Sequence, residues 1–266
     1  MTKQAEPPGC VWITGASQGL GRALALELVR RGRTVVASAR SADKLEDLVR
    51  DAAEPTGNGG GRLVPLVVDV TDGPAVAEAV RKIEREIGPI ETAVLNAGTH
   101  IPVDGRSLKA ADFRKLLDIN VMGTVLCLEP VIAAMTPRRR GRIAVVASVS
   151  GYGGLPSAAA YGLTKAGLIN MCESLRPELA LAGVTIQVVN PGFVRTPLTD
   201  KNDFPMPFLM EPEAAARAFA DGLASNRFEI VFPRRLAYLL KVLRLLPYGL
   251  YFAVTKGMVK DRESAA

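Results

Sequence analysis

The chain has very little histidine and cysteine. Its 266 residues include one histidine, His100, and three cysteines, Cys10, Cys127 and Cys172, which lie far apart. Structural zinc sites and disulfide frameworks use closely spaced residues of these types. The sequence therefore predicts neither a metal site nor a disulfide scaffold. A lone histidine is more often a loop residue than a catalyst, so we assign His100 no role.

The sequence also lacks an apolar leader and an interdomain linker. Its first residues, MTKQAEPPGC, are polar, and together with the isolated thiols they indicate a reducing, cytoplasmic setting. No Pro-rich or Gly/Ser-rich stretch divides the chain. The hydrophobic fraction of 48% and the charged fraction of 23% are typical of a globular protein with a large core. We expect residues 1–266 to form a single domain.

Acidic residues are too few to balance the basic ones, which gives a net charge of +6. Much of this charge lies in TPRRRGR at 136–142 and in the last thirty-odd residues, and few aromatic residues accompany it. A nucleic-acid site combines basic residues with a recognisable motif or with stacking aromatics. We interpret the charge as solvated surface and predict no nucleic-acid partner.

Short apolar runs rich in β-branched residues alternate with stretches whose apolar residues recur every three or four positions. This alternation predicts an α/β fold with right-handed crossovers, and the near-continuous apolar runs fit a sheet that is buried on both faces. We expect one Rossmann-type, doubly wound parallel sheet of about seven strands. The predicted strands are 11–14, 34–39, 63–69, 92–96, 142–148, 185–190 and 229–232.

Two connections interrupt this alternation of predicted strands and helices. The glycine-rich stretch at 54–61 is a surface connection that needs no function. The stretch at 191–213 is too long for an ordinary connection in a compact domain. Long loops of this kind are more often lids or binding elements, so we predict a substrate lid there.

Glycines cluster in VWITGASQGLGRAL, just after the first predicted strand. Gly15, Gly19 and Gly21 would allow a tight turn and the close approach of a pyrophosphate to the start of the first helix. The spacing differs from the common G-x-G-x-x-G fingerprint. Alone, the three glycines are a weak signal for a dinucleotide.

The glycine turn is one of several motifs that occur in a familiar order. They are TGASQGLG at 14–21, NAG at 96–98, Asn120, Ser148, a YxxxK pair formed by Tyr161 and Lys165, and PGFVRT at 191–196. In these motifs and their spacings the sequence resembles the classical short-chain dehydrogenase/reductase family over nearly the whole chain. The resemblance implies a nicotinamide-dependent oxidoreductase and a homo-oligomer, since dimers and tetramers are usual in the family.

Tyr161 and Lys165 lie one helical turn apart in AAAYGLTKAGLIN, so their side chains share a face. A free phenol has a pKa of about 10, and an adjacent cation lowers it by roughly 1–3 units. Beside an oxidised nicotinamide, Tyr161 would act as a general base for alcohol oxidation, or as a general acid in the reverse direction. The alternative is a packed tyrosine with a lysine that extends to water.

The resemblance also implies roles for the other catalytic candidates. Ser148, at the end of the fifth predicted strand, would hydrogen-bond the substrate oxygen, and the spacing favours it over Ser150. Asn120 would hold a water in a proton relay to Lys165, and the alternative is an asparagine that bonds the helix backbone. In the family the lysine also binds the nicotinamide ribose.

Further residues match the cofactor site of the family, with Asp69 and Val70 at the adenine and Thr196 at the nicotinamide amide. The full predicted cofactor set is Gly15, Ser17, Gln18, Gly19, Leu20, Gly21, Arg40, Asp69, Val70, Asn96, Ala97, Gly98, Tyr161, Lys165, Pro191, Gly192, Val194 and Thr196.

The end of the second predicted strand carries the signal for cofactor choice. In this fold an acidic residue there binds the adenosine ribose, whereas a nearby arginine accommodates the 2′-phosphate. VVASARS has Ala39 in place of the acid, followed by Arg40, which suits phosphate. We predict NADP(H). Gln18 lacks the charge that some NADP-dependent relatives carry in the glycine turn, so the preference rests on Arg40.

The C-terminal segment 233–262 has the pattern of a basic amphipathic helix. Arg234, Lys241 and Arg244 recur at helical spacing opposite a wide Leu/Val face. Such a helix lies on a membrane surface, packs on its own core or forms a subunit contact, and the three readings stay open. Only eleven uncharged residues separate Arg244 from Lys256, too few to span a bilayer at roughly 20 residues.

These patterns together predict an NADP(H)-dependent oxidoreductase that reduces a ketone or aldehyde, or oxidises the corresponding alcohol. An apolar, lipid-like substrate is favoured because the predicted lid offers large apolar side chains without a carboxylate or amide. A reductase of small polar carbonyls and a non-catalytic NADP(H)-sensing or scaffold protein on the same fold are the alternatives. The apolar lid residues are Phe204, Met206, Phe208, Leu209 and Met210.

Overall fold

Parallel strands form a single sheet through the middle of the protein. The computed structural model describes residues 9–53, 60–201 and 205–259. The strands in these ranges are β1 (Cys10–Thr14), β2 (Thr34–Ala39), β3 (Arg62–Val67), β4 (Ile90–Leu95), β5 (Gly141–Val146), β6 (Val184–Pro191) and β7 (Glu229–Phe232). Their order across the sheet is β3-β2-β1-β4-β5-β6-β7, with every pair parallel. The predicted seven-stranded parallel sheet is confirmed.

Helices cover both faces of this sheet. They are α1 (Gly19–Arg30), α2 (Ala42–Ala53), α3 (Gly73–Glu86), α4 (Ala110–Leu116), α5 (Gly123–Met135), α6 (Ala159–Leu181), α7 (Pro212–Leu223), α8 (Arg234–Leu245) and α9 (Tyr248–Lys256). Alternate residues of β1 point to opposite faces, so Trp12 lies in the core with α3, α5 and α6, while Ile13 lies in the core with α1, α2 and α7. The doubly wound arrangement predicted from the sequence is therefore present.

Two strands end two residues earlier than the sequence predicts, and β4 ends one residue earlier, at Leu95. β5 ends at Val146 rather than at residue 148, because the Ser148 hydroxyl accepts the Ser150 N–H at 3.1 Å and starts a 3₁₀ turn over Val149–Gly151. β3 ends at Val67 because the Asp69 carboxylate turns the chain by accepting the Thr71 N–H at 3.0 Å. In both cases a polar side chain competes with the sheet for a backbone donor.

The helical run Ala110–Met135 is long and apolar enough, by length and composition alone, to cross a membrane, with a mean hydropathy of 1.7. In the fold it comprises α4, a π-helical stretch over Leu117–Met122, and α5. Leu128, Val131 and Met135 of α5 are buried in the core on one face of the sheet. Packing on the sheet therefore accounts for the apolar side of α5.

The C-terminal segment predicted as one amphipathic helix forms two helices, α8 and α9, because Pro247 lies at their junction. Leu236 and Ala237 of α8 pack with Val149 in a small core cluster. In α9, the Tyr251 hydroxyl donates to the Gly154 carbonyl at 2.5 Å. Both helices thus lie against the loop that follows Ser148. Residues 260–262 of the predicted segment lie outside the described residues.

Glu229 on β7 fixes α8 to the sheet. Its Oε1 accepts from the Tyr152 hydroxyl at 2.5 Å and from Asn190 Nδ2 at 2.8 Å, and its Oε2 pairs with Lys241 of α8. Burial alone would raise the pKa of the Glu229 carboxyl, but the hydrogen bonds from Lys241, Tyr152 and Asn190 outweigh burial and hold that pKa below its usual value. The carboxylate therefore ties the loop after Ser148, β6 and α8 together.

Candidate active site

The predicted site residues lie along one edge of the sheet. Gly15 follows β1, Arg40 follows β2, Asn96 follows β4 and Gly192 follows β6. The carboxyl ends of parallel strands meet at one edge, and ligands of such sheets bind where the strand order reverses. Here the reversal lies between β1 and β4. The structure therefore gathers residues that are far apart in sequence at the position where a dinucleotide binds in this fold.

The turn between β1 and α1 needs glycine at its critical positions. Gly15 and Gly19 have φ angles of +66° and +57°, in the left-handed region that side chains disfavour. A Cβ on Gly15 would lie 2.8 Å from the Ala97 Cα, and one on Gly21 would lie 2.4 Å from the Gly15 oxygen. Any larger residue at these positions would push the turn away from the neighbouring strand.

A hydrogen-bond lock joins this turn to the end of β4. Asn96 Nδ2 donates to the carbonyl oxygens of Thr14 and Gly15, both at 3.1 Å. In return, Thr14 Oγ1 accepts the N–H groups of Asn96 at 3.0 Å and Ala97 at 3.1 Å. These hydrogen bonds fix the shape of the glycine turn without a bound ligand. In the sequence Thr14 is only the first residue of the TGASQGLG motif, and the motif does not reveal this supporting role.

The first turn of α1 presents donors that suit an anion. Gln18 occupies the N-cap position but makes no side-chain capping bond there, so the first backbone N–H groups of α1 stay available for a phosphate. Instead, Gln18 Oε1 accepts from Lys44 Nζ at 3.0 Å. Lys44 borders an open groove of about 330 Å³ that is also lined by Ser17, Arg22, Asp47, Arg50 and Asp51.

Lys44 therefore places a cation beside Gln18, and the cofactor residues predicted from the sequence do not include it. The available signal was its position at the start of α2, four residues after Arg40. Arg40 itself is exposed over 73% of its side chain and lies 3.8 Å from Asp69. Burial alone would raise the pKa of Asp69, but bonds from Thr71 and the nearby Arg40 charge hold it below its usual value.

Lys165 of α6 is buried beside the predicted nicotinamide end of the site, with an exposed fraction of 3%. Its Nζ donates to the Val146 carbonyl at 2.8 Å and lies 5.5 Å from the centroid of the Tyr161 ring. A Cβ on Gly98 would lie 3.6 Å from this Nζ and 3.3 Å from Asn120 Oδ1. Gly98 thus borders the lysine and the asparagine together, and its lack of a side chain leaves space next to them.

Asn120 lies in the π-helical stretch and is fully buried. Its Oδ1 accepts the Thr99 N–H at 2.8 Å, and its Nδ2 donates to the Thr99 carbonyl at 2.9 Å and to Thr164 Oγ1 at 3.1 Å. Its own carbonyl accepts from Thr124 Oγ1 at 2.8 Å. The side chain therefore fastens the helix to the segment after β4. The proton relay implied by the resemblance stays a prediction.

Ser148 and Tyr161 face each other across the site. The Tyr161 side chain hydrogen-bonds to Ser148, whose Oγ also lies 3.5 Å from the Pro191 carbonyl oxygen. Ser150 contributes its backbone N–H to the Ser148 hydroxyl. Of the two serines, Ser148 is the one beside the phenol, as the sequence spacing predicts.

The pKa values of the tyrosine–lysine pair differ from the sequence prediction. Burial raises the pKa of Tyr161 to about 12, although the Ser148 hydrogen bond opposes the rise. Burial also lowers the pKa of Lys165 to about 8. The shift of the Tyr161 pKa is opposite in direction to the lowering expected from an adjacent cation, because desolvation dominates. Tyr161 consequently keeps its proton at neutral pH. The lowering expected beside an oxidised nicotinamide stays a prediction.

His100, to which the sequence assigned no role, lies against the candidate catalytic tyrosine. Its ring is 4.8 Å from the Tyr161 ring at an interplanar angle of 71°, an edge-to-face contact. Ile101, Val103 and Phe113 pack in the same region around Tyr161. The phenol is thus held on one side by His100 and apolar residues. A lone histidine in a loop carries no sequence pattern that would reveal this contact.

The predicted lid at 191–213 is attached at both ends. Gly192 N–H donates to the Phe232 carbonyl at 2.8 Å, and a short bridge links Val194 to Met210 before α7 begins. A Cβ on Gly19 would lie 3.2 Å from Thr196 Cγ2, which places the start of the lid over the glycine turn. Of the five apolar residues predicted to face substrate, Met206, Leu209 and Met210 are half-buried and Phe208 is exposed, whereas Phe204 lies outside the described residues.

The residues present fit a phosphorylated dinucleotide. The turn has the close approach and free helix amides that a pyrophosphate needs, and cations lie where the adenosine end would project. The Gly98 opening next to Lys165 and Asn120 suits the ribose at the other end. The predicted cofactor residues at the strand ends are therefore brought together along one edge.

Comparisons with known proteins agree with this geometry. Residues 9–205 match the family model described as short chain dehydrogenase. An uncharacterized oxidoreductase of Myxococcus xanthus is 38% identical over 92% of this chain and 95% of its own length. A 3-oxoacyl-acyl-carrier-protein reductase of Thermotoga maritima is 34% identical over 71% of this chain and 75% of its own length. The solved structure of ElxO with NADP bound superimposes with a TM-score of 0.74 at 25% identity, covering 85% of this chain and 98% of that one.

The buried lysine gives a testable pH dependence of stability. Below pH 8 the folded protein must hold an ammonium in a desolvated position, so we expect Lys165→Met to be more stable than the wild type at pH 7. Between about pH 8 and about pH 10.4, Lys165 is protonated in the unfolded chain but neutral in the folded protein. The free energy of unfolding of the wild type therefore rises with pH in this range, and the stability difference between Lys165→Met and the wild type shrinks. Urea unfolding without added cofactor, from pH 7 to about pH 10, measures this.

Lys82→Met, at an exposed position of α3, is the matched control for loss of an ammonium. A pH trend of equal size in both variants, or a Lys165→Met difference that does not change with pH, would contradict the assigned burial of the charge.

Proposed function

We propose, from the premise that this chain belongs to the short-chain dehydrogenase family, that it is an NADP(H)-dependent oxidoreductase that reduces an apolar, lipid-like ketone or aldehyde. The observation that carries the proposal is the cluster of buried Ser148 and Lys165 with half-buried Tyr161 beside the glycine turn. It combines a proton donor, a hydrogen-bond donor for an oxygen and a cation. These are the groups that a carbonyl reduction requires.

The residues act on a carbonyl oxygen placed between Ser148 and Tyr161. A bound reduced nicotinamide supplies the hydride that the carbonyl carbon accepts. The Ser148 hydroxyl donates a hydrogen bond to the oxygen and stabilises the negative charge that develops there. Tyr161 then transfers its hydroxyl proton to this oxygen, which completes the alcohol. Lys165 offsets the charge left on the phenolate, and the phenol regains its proton from solvent.

Tyr161 carries the proton that reduction of a carbonyl requires. Burial raises the pKa of the phenol, so the hydroxyl keeps its proton until the carbonyl oxygen accepts it. Oxidation of the alcohol would use the same residues in reverse. We propose reduction as the direction of the reaction.

The cations at the adenosine end support NADP(H). The end of β2 lacks the acidic residue that would repel a 2′-phosphate, and Arg40 follows it instead. Lys44 adds a second positive charge beside the glycine turn. ElxO, a structural neighbour, has NADP bound. The proposed 2′-phosphate position lies between these two side chains.

The lid and the relatives support an apolar substrate. Met206, Leu209 and Met210 place deformable apolar side chains in the lid. The relative from Thermotoga maritima is a reductase of 3-oxoacyl groups, which carry an alkyl chain. A carbonyl on an alkyl chain is therefore the proposed substrate class. The non-catalytic alternative, a cofactor-sensing or scaffold protein, does not need the buried Tyr161–Ser148 contact.

The proton-donor role predicts a selective loss of turnover. Tyr161→Phe keeps the ring and removes the hydroxyl, so ketone reduction should fall by at least about 100-fold, since a positioned acid contributes roughly 10²–10⁴-fold. NADPH affinity should stay within a few-fold of wild type. Steady-state kinetics and cofactor titration on the purified variant check both.

Ser148→Ala and Ser150→Ala form a matched pair for the neighbouring hydrogen bond. Loss of the Ser148 donor should lower kcat by roughly 10²–10³-fold, whereas Ser150→Ala should remain near wild type. Near-normal turnover in Tyr161→Phe, or a larger loss at Ser150 than at Ser148, would refute the assigned roles.

The cation pair predicts a selective loss of NADPH affinity. Arg40→Ala and Lys44→Ala should each weaken NADPH binding and leave NADH binding nearly unchanged, because only NADPH carries the 2′-phosphate. The Arg40 side chain is largely exposed, so we expect a loss of about tenfold, near the lower end for a charge-assisted bond. Fluorescence titration measures both affinities.

Arg81→Ala, at an exposed position of α3, controls for the loss of a positive charge. Equal losses for NADPH and NADH in Arg40→Ala would make Arg40 a structural residue and remove the main support for NADP preference.

The proposed substrate class predicts a dependence on chain length. In a homologous series of alkyl ketones, kcat/KM should rise with each methylene that the pocket buries. Each buried methylene lowers the activation free energy by up to about 0.8 kcal/mol. The measurement is kcat/KM across the series at constant NADPH. A flat or falling trend, with the highest values on small polar carbonyls, would favour the reductase of small polar carbonyls instead.

A further inference from the structure

The C-terminal helices expose an unusually apolar surface. Of the sixteen large hydrophobic residues that are exposed in the described part of the chain, ten lie between residues 238 and 259, and Leu245 is 83% exposed. We call this set the outer apolar face. Its members are Tyr238, Leu239, Val242, Leu245, Tyr248, Leu250, Phe252, Val254, Met258 and Val259.

The outer apolar face is separate from the side of α8 that packs on the protein. Successive residues of a helix are rotated by about 100°, so the buried positions Leu236, Ala237 and Leu243 point to one side of α8. The exposed positions Tyr238 and Leu245 point to the opposite side. An ordinary amphipathic surface helix is polar there. α8 is instead apolar on two sides. Its outward side packs against nothing within the described residues.

The charged residues of the stretch that carries this face, 234–260, are all positive. From Arg234 to Lys260 the sequence contains no aspartate or glutamate. Lys241 turns inward to Glu229, but Arg234, Arg235 and Lys256 are exposed and form no ion pair within the described ranges. The apolar surface is therefore bordered by cations whose counter-charges must come from outside the segment.

We propose that the outer apolar face of α8 and α9 docks onto the surface of an anionic lipid bilayer. An apolar face bordered by arginine and lysine is the combination that lies in the membrane interface, where anionic headgroups meet the cations. The exposed rings of Tyr238 and Tyr248 suit the same interface, because an aromatic ring with a polar tip is favoured there. The helices contain 12 and 9 residues, so they lie on the bilayer without spanning it.

A second copy of the chain fits this face less well. In a twofold dimer the same surface meets itself. The exposed cations of one copy, such as Arg234, Arg235 and Arg244, would then be brought near those of the other, and residues 234–260 contain no carboxylate to separate them. Repulsion between like charges opposes that contact, whereas an anionic bilayer neutralises the same charges.

Docking here would place the candidate active site beside the lipid. The Tyr251 hydroxyl of α9 bonds to Gly154 in the loop after Ser148, and a Cβ on Gly192 would lie 2.8 Å from Leu236 of α8. The helices therefore connect the membrane surface directly to the loops that border the site. An alkyl carbonyl compound would reach the site from the bilayer without crossing water. The docking itself does not depend on the proposed reaction.

Co-sedimentation with vesicles tests the proposal with a readout independent of activity. The full chain is mixed with vesicles of phosphatidylcholine alone or of phosphatidylcholine with phosphatidylglycerol. We expect binding to the anionic vesicles that weakens at high salt, because exposed charges are screened. Leu239→Gln combined with Leu245→Gln should reduce partitioning at least about tenfold, since two buried leucines are lost from the lipid. Arg234→Gln combined with Arg235→Gln should reduce binding to anionic vesicles.

Leu181→Gln is the matched control, because Leu181 is 80% exposed at the end of α6, away from the outer apolar face. Its vesicle binding should equal that of the wild type. Size-exclusion chromatography and thermal unfolding of each variant establish that it folds. Absence of vesicle binding by the wild type would overturn the proposal. The proposal would also be overturned if the wild type were a dimer, the Leu239/Leu245 variant were a monomer, and both bound vesicles equally. That result would assign the face to a subunit interface.

Discussion

The parallel arrangement of the strands is the constraint on which the site depends. Because the strands of the sheet all run the same way, the loops that follow them must emerge at one edge. That edge receives the glycine turn after β1, the Asn96 lock after β4 and Ser148 after β5. Helix α6 then brings Tyr161 and Lys165 over the same edge. Residues as far apart in sequence as Gly19 and Thr196 thereby become neighbours.

Burial shifts the pKa values of Tyr161 and Lys165. The phenol of Tyr161 is held between Ser148, His100 and an apolar cluster, so it retains its proton. The ammonium of Lys165 is placed where water does not compensate its charge. An acid that holds its proton and a cation ready to stabilise the conjugate base are complementary. Desolvation shifts the pKa values of both side chains, and for Tyr161 the shift is opposite in direction to the lowering expected from an adjacent cation.

The sequence predicts the fold and the identity of the chief site residues because period and motif are local signals. The seven strands follow from apolar runs, and Tyr161 and Lys165 follow from a spacing of four. What the sequence does not reveal arises from contacts across the fold. Lys44 reaches Gln18 from another helix, His100 meets Tyr161 across a loop, and desolvation depends on what surrounds a group in space. The ends of β3 and β5 were misplaced because Asp69 and Ser148 bond backbone donors that strand periodicity ignores.

The central claim is that this edge of the sheet transfers a hydride to a carbonyl carbon while Tyr161 supplies the proton. The most direct test is to incubate the purified protein and an alkyl ketone with NADPH deuterated at its reducing carbon, and to locate the deuterium by mass spectrometry. The account predicts one deuterium on the carbinol carbon of the alcohol for each cofactor oxidised. Tight binding of NADPH, with no deuterium transferred to any ketone of the series, would contradict it and leave a cofactor-binding protein without this catalysis.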